Sequence, residues 1–340
     1  MRLKYSVVIS FAIMAATCAT AQSVRIVARE DEAPNLFSGP TLGCFLRTSP
    51  VDLRLIWGVP GATYVSSAQS FAIPTTRNSA SNAIISSLHD WVLIDQGGEV
   101  SASALSACQA VRTTDLHVSG GIDIGASSAS GKLAAIYSHS TGVLSVVAGL
   151  SNAPEVTTVY SGGGLPLSVL ALAISDSSVL AVSSHSGVYV LSAGSGPVLV
   201  YPSTDVPSLA FLPGSTDLAI ADRAGTQIAI LQDVTGARSL QVMATASGNM
   251  SPPSMIVSAG RGRVVALAGA ELVSFDIARG TSARVAIMAG AERISALPTP
   301  GVVMVTATGR PAQIVNFNES NPRGYVVAIP EHQSDSKRVR

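Results

Sequence analysis

Seven times along this 340-residue chain one phrase recurs: a short run rich in Val, Ile, Leu and Ala, a polar or glycine turn, then a second apolar run. The phrases begin at Gly43, Trp91, Lys132, Ser178, Asp217, Arg263 and Gly301, so successive starts differ by 48, 41, 46, 39, 46 and 38 residues. That period is the length of one four-stranded propeller blade, roughly 40 to 50 residues. Asp217-Leu218-Ala219-Ile220-Ala221 followed by Gln227-Ile228-Ala229-Ile230-Leu231 shows the form clearly. Runs of this length, β-branched and closed by Gly, Pro or Asp, are strands rather than helix turns.

Each hairpin has room for two more strands. Upstream candidates are Ala83–Ile85, Ser168–Leu172, Ser208–Phe211 and Met255–Val257; downstream ones are Glu155–Tyr160, Pro197–Tyr201, Ser239–Met243, Ala283–Met288 and Gly324–Ile329. Four short strands per repeat predict an all-β chain folded as a β-propeller of four-stranded blades. No segment sustains helical periodicity long enough for a helical solenoid. Seven blades is the preferred count, with Ser23–Ala28 supplying the first unit's missing strand. Six blades plus an N-terminal extension is the alternative. The expected domain spans residues 22–330, and Glu331–Arg340 is too polar to add a strand and reads as a disordered tail.

Stacked blades bury both faces of each sheet, which calls for continuous small and branched apolar residues. The composition agrees, with 47% hydrophobic, 12% charged and 5% aromatic residues. The longest apolar stretch, Leu165–Val182, is broken by Ser168, Ser175, Asp176, Ser177 and Ser178, so it reads as two strands and a turn, not a membrane span. Low charge with high hydrophobicity excludes a disordered chain. A formal net charge of zero leaves no basic field for phosphates, so nucleic acid is not an expected partner.

Residues 1–21 read as a signal peptide: basic Arg2 and Lys4, an apolar run from Val7 to Ala16, and the small-x-small site Ala19-Thr20-Ala21 before Gln22. The apolar run is about half of the roughly 20 residues that cross a bilayer, so cleavage leaves a mature chain with no transmembrane anchor. Lipidation at Cys18 fits poorly because Thr17 precedes it. The expected location is periplasmic or extracellular. Cys44 and Cys108 then remain as the mature cysteines, either as a disulfide or as two small buried apolar side chains.

The strand pairs with their Gly- and Asp-rich turns, Asp217–Asp222 with Gln227–Leu231 above all, resemble bacterial propellers of the broad WD-repeat and YVTN-type class. The phrase Leu53-Arg54-Leu55-Ile56-Trp57-Gly58-Val59-Pro60-Gly61-Ala62 is similar to an N-terminal phrase of secreted, uncharacterised bacterial propellers. The resemblance covers roughly Gly43–Ile329 and implies architecture, not activity.

The sequence carries few catalytic signals. There is no HExxH, GxSxG or CxxC in the chain, and Gly162-Gly163-Gly164 lacks the GKS/T of a phosphate loop and reads as a turn between blades. His139 and His185 are the one candidate metal pair, since both follow the first hairpin strand in consecutive repeats. Two imidazoles without carboxylates are too few ligands for a metal, so no cofactor and no metal is expected there. His89-Asp90 reads as a turn rather than a dyad. Asp95, Asp176, Asp205, Asp217, Asp222 and Asp276 sit at strand ends, where Asx turns account for them. Asn249-Met250-Ser251 and Asn318-Glu319-Ser320 match glycosylation acceptors but take no role in a bacterial exported chain.

The expectation is a monomeric, exported binding or scaffold module that holds a protein, peptide or glycan through its loop faces or central channel. The alternative is a propeller enzyme of the lactonase or quinoprotein-related kind, with polar groups converging on the channel mouth. A channel of Ser, Ala and Val would favour binding. His and acidic side chains there would favour catalysis.

Overall fold

The computed structural model describes residues 40–48, 51–66, 82–161, 168–192, 196–245 and 250–327. These belong to a compact unit running from Pro40 to Arg340. Residues 1–21 (read as a signal peptide), the strand expected at Ser23–Ala28, the turn expected at Gly162–Gly164, Asn249 and the segment Glu331–Arg340 lie outside the described residues.

Every described element is a β-strand, and every sheet is an antiparallel meander in which consecutive strands pair. Blade 1 holds β1 (Thr41–Thr48), β2 (Val51–Val59) and β3 (Ala62–Val65). Blade 2 holds β4 (Asn82–Ile85), β5 (Trp91–Gln96), β6 (Glu99–Ser106) and β7 (Gln109–Leu116). Blade 3 holds β8 (Ile124–Ser127), β9 (Leu133–Ser138), β10 (Val143–Ala148) and β11 (Glu155–Tyr160). Blade 4 holds β12 (Ala171–Ile174), β13 (Leu180–Ser184), β14 (Gly187–Leu191) and β15 (Val198–Tyr201). Blade 5 holds β16 (Ser208–Phe211), β17 (Leu218–Asp222), β18 (Gln227–Gln232) and β19 (Ser239–Thr245). Blade 6 holds β20 (Pro253–Ser258), β21 (Arg263–Ala268), β22 (Glu271–Asp276) and β23 (Thr281–Ala286). Blade 7 holds β24 (Arg293–Ala296), β25 (Val302–Thr306), β26 (Ala312–Asn316) and β27 (Gly324–Val327). The chain is a seven-bladed β-propeller. All seven repeated hairpins are the second and third strands of their blades, and the three described strands of blade 1 match the second, third and outer strands of the others.

The continuous apolar runs follow from how blades stack. In β17, Leu218 and Ile220 enter the core shared with blade 4, while Ala219 and Ala221 enter the core shared with blade 6. A middle strand therefore has no solvent face, and all five residues of β13 are buried. One apolar core fills each of the seven blade junctions, including that between blades 7 and 1, where Phe45 and Ile56 meet Met304 and Ile314. Outer strands lack a partner on one edge and are polar or exposed, as in β7, Gln109–Leu116. Sequence patterning passes over this strand, along with the short β3, β8 and β24, because their Thr, Ser, Gly and Arg content carries no apolar run.

Polar staples cross the junctions. Trp91 is fully buried and its indole N–H donates to the Gly131 carbonyl of the next blade. Ser208 on β16 both donates to the Ile256 carbonyl at 3.2 Å and accepts from its amide at 3.0 Å, joining blades 5 and 6. Between blades 1 and 2 the staple is covalent: Cys44 on β1 and Cys108 in the β6–β7 turn form a disulfide with Cα atoms 5.6 Å apart. Beside it the Cys44 amide donates to Nδ1 of His89 at 2.6 Å. Gly43 is required there, because a Cβ at its φ of +145° would lie 2.7 Å from His89 Nδ1 and 2.8 Å from Pro298 Cδ.

Candidate functional site

A propeller offers three surfaces to a ligand: two faces made of turns, and the channel bordered by the inner strands. On one face lie the turns between second and third strands together with the connections between blades. Several carboxylates of this face are spent on the fold. Asp95 accepts from Gly98 N at 2.7 Å and from Ile122 N at 2.8 Å. Asp123 accepts from the amide of His139 at 2.6 Å. Asp205 holds Arg223 through two bonds, at 2.6 and 3.0 Å. Asp222 accepts from Tyr201 Oη, Ser203 Oγ and Gly225 N at 2.7, 2.7 and 2.9 Å. Burial pushes the Asp222 carboxyl up, but these donors outweigh it and hold it below the usual range, while burial and the same carboxylate push the Tyr201 phenol up. Asp95, Asp222 and Asp276 each accept from the amide three residues on, the Asx turn expected from sequence.

On the opposite face, Asp176 and Asp217 flank an open depression of about 490 Å³ that Ser177, Gly214, Ser215 and Thr216 complete. Asp176 ties three blades, accepting from Ser130 N at 2.8 Å and from Gly214 N at 3.0 Å. Burial raises its pKa, and the donors more than reverse that, so it stands ionised and engaged. Asp217 accepts from Asp233 N at 2.9 Å.

His139 and His185 occupy matching turns of blades 3 and 4, and both are exposed. Each has its own contacts: the His139 ring meets Tyr137 edge-on at 5.0 Å, and His185 Nδ1 lies 3.3 Å from the Thr204 carbonyl. Among the described residues no group of three or more His, Cys, Asp or Glu side chains is placed to hold a metal ion.

His89 is the histidine whose chemistry the fold alters. It is buried in the β4–β5 turn with φ +58°, accepts from Cys44 N of blade 1, and its other ring nitrogen faces the Ala296 carbonyl of blade 7. Desolvation lowers its pKa to about 4, against the weaker opposing pull of Ala296 and the Asp90 charge. It is a neutral clamp across three blades. Sequence reading places it in a turn but has no signal for this reach.

The channel wall is different in kind. The six described inner strands read Asn-Ala-Ile-Ile, Ile-Gly-Ala-Ser, Ala-Leu-Ala-Ile, Ser-Leu-Ala-Phe, Pro-Ser-Met-Ile-Val-Ser and Arg-Ile-Ser-Ala. They contain no His, Asp or Glu. Their one formal charge is Arg293.

No protein-family model matches the chain, and no curated protein does. Solved structures do. A functionally unknown protein from Desulfotomaculum acetoxidans DSM 771 is 13% identical with a TM-score of 0.59, covering 84% of this chain and 95% of its own. Apo AztD from Citrobacter koseri is 12% identical with a TM-score of 0.58, covering 86% and 83%. A protein from Lactobacillus plantarum is 16% identical with a TM-score of 0.57, covering 86% and 96%. Likeness at these identities is likeness of fold. Among the described residues no helix is long and apolar enough to cross a membrane.

Proposed function

We propose that this propeller is an exported binding module that takes its ligand in the central channel. The observation that carries the reading is the division of polar chemistry: acids of the turn faces such as Asp95, Asp176 and Asp222 are consumed in hydrogen bonds that set the turns, while the described inner strands carry small and apolar residues, hydroxyls and a single cation. Channel catalysis by general acid and base needs titratable side chains within reach of a reacting atom, and the described inner strands supply no carboxylate or imidazole. Export rests on the signal-like residues 1–21 and agrees with the Cys44–Cys108 disulfide, since such bonds persist outside the reducing cytosol. The ligand classes in view are a peptide, a protein segment or a glycan bearing a group that suits the channel.

Native mass spectrometry with metal analysis, on protein matured in an exporting host, tests this reading. The expected result is a monomer beginning at Gln22, two hydrogens lighter than its reduced form, with an organic adduct and no stoichiometric metal. A stoichiometric metal, or a chain retaining residues 1–21, would contradict it.

A further inference from the structure

We propose that the outer edge of blade 5 docks an extended, uncharged segment of a partner protein, which adds to β19 as a fifth strand and lays its apolar side chains against the rim of the junction with blade 4. The inference goes beyond the channel reading and does not depend on it. β19 is the last strand of its sheet, and among the described residues no other strand pairs with its far side. Outer strands are blunted against such pairing by charge or by short length. Here β7, β11 and β23 carry Arg112 and Asp115, Glu155, and Arg284, while β3, β15 and β27 are four residues long. β19, Ser-Leu-Gln-Val-Met-Ala-Thr, has neither safeguard: it runs for seven residues with no charge and no proline. Its pairing with β18 is regular from Ser239 to Val242 before a bulge at Met243, and β7, β11 and β15 bulge likewise, so the bulge does not set it apart.

The side chains along this edge form one apolar wall of a wedge. Leu240 pairs with Leu231, which lies in the core between blades 4 and 5, so Leu240 and, two residues on, Val242 face blade 4. From blade 4, Val198 pairs with Val190 of the same core and faces them, and Val200 packs against that core. Leu240, Val242 and Val198 are 50%, 45% and 43% exposed. The other side of β19 is polar by contrast, since Gln241 shares the blade 6 side with Ser282 and Arg284 of β23. Charge sets the chemistry of the occupant. β15 and β19 bear none, the exposed turn at one end of the wedge carries Asp233 and Arg238, one of each sign, and at the other end Asp205 and Arg223 hold each other, so a neutral segment fits. The exposed parts of these few side chains fall short of the roughly 800 Å² per partner of a standard stable interface, which argues against a second copy of this chain. An added strand needs less area, because its main-chain bonds supply affinity and its alternate side chains fill the wedge.

The peptide acetyl-Thr-Val-Ser-Leu-Thr-Val-Asn-amide, titrated into the mature protein and followed by calorimetry and amide hydrogen exchange, tests the assignment. The expected result is saturable binding with exchange slowed along Ser239–Val242. Leu240→Lys places a charge on the wedge at a half-exposed position, so it should weaken binding about tenfold or more while the thermal midpoint holds. Val111→Lys, on the outer strand of blade 2 and more exposed still, should leave the affinity unchanged. Two peptides N-methylated at alternate residues in opposite phase give a second readout that no protein variant enters: one should bind and the other not, since an added strand pairs along one edge. No saturable binding, protection confined to the inner strands or the turns, equal affinity of Leu240→Lys and wild type, or equal binding of the two methylated peptides would overturn the assignment. Sedimentation of the unliganded protein as a dimer that Leu240→Lys dissolves would overturn it as well, by giving the edge to a second copy.

Discussion

Replacing Cys44 and Cys108 by serine is expected to lower the free energy of unfolding by about 4 kcal/mol, the entropy of opening a cross-link across 64 residues. The bond joins β1 of blade 1 to the β6–β7 turn of blade 2, and the two residues of that turn, Ala107 and Cys108, hold φ of +47° and +61°. A left-handed pair of this kind persists because the surrounding structure fixes it. Both sulfurs are buried among Leu53, Leu55, Ile94 and Leu105, so two serine hydroxyls would add a desolvation cost to the lost constraint. Urea unfolding of the double variant, and of the reduced wild type, measures the effect. Midpoints that coincide with those of the oxidised protein would show that the apolar core alone closes this junction.

The second large effect is a loss of stability in mild acid. His89 has a folded pKa of about 4 against 6.5 when free, so the folded state resists the proton that the unfolded chain accepts. Its contribution is full above pH 6.5, falls as the pH drops towards about 4, and is constant below that. The shift corresponds to about 3 kcal/mol. The cause is local: protonated Nδ1 can no longer accept from Cys44 N, and a charged ring would sit where water does not reach. Asp90 beside it favours the charged form and limits the shift. In urea unfolding at pH 7, 5.5 and 4, His89→Gln should lose this portion of the pH dependence while other acid-sensitive groups keep theirs. A wild-type profile superimposable on the variant's across that range would contradict the clamp.

Both effects lie at the junctions of blade 1, which shows where sequence reading ran out. Patterning finds the middle strands because burial on both faces forces an unbroken apolar run, as at Leu180–Ser184 and Leu218–Asp222. It passes over Gln109–Leu116, whose strand is set by pairing with β6 and not by burial. The Asx turns at Asp95, Asp222 and Asp276 were legible because they are local. His89 was not, since its partners are 45 residues away at Cys44 and in the last blade at Ala296.

The central claim, that ligand enters the channel and not the turn faces, is tested most directly by a crystal structure of the mature protein as isolated from an exporting host, with no ligand added. The predicted result is bound density between the inner strands of the blades. Density confined to the turns, in the depression at Asp176 and Asp217 for example, or a channel holding solvent alone, would contradict it.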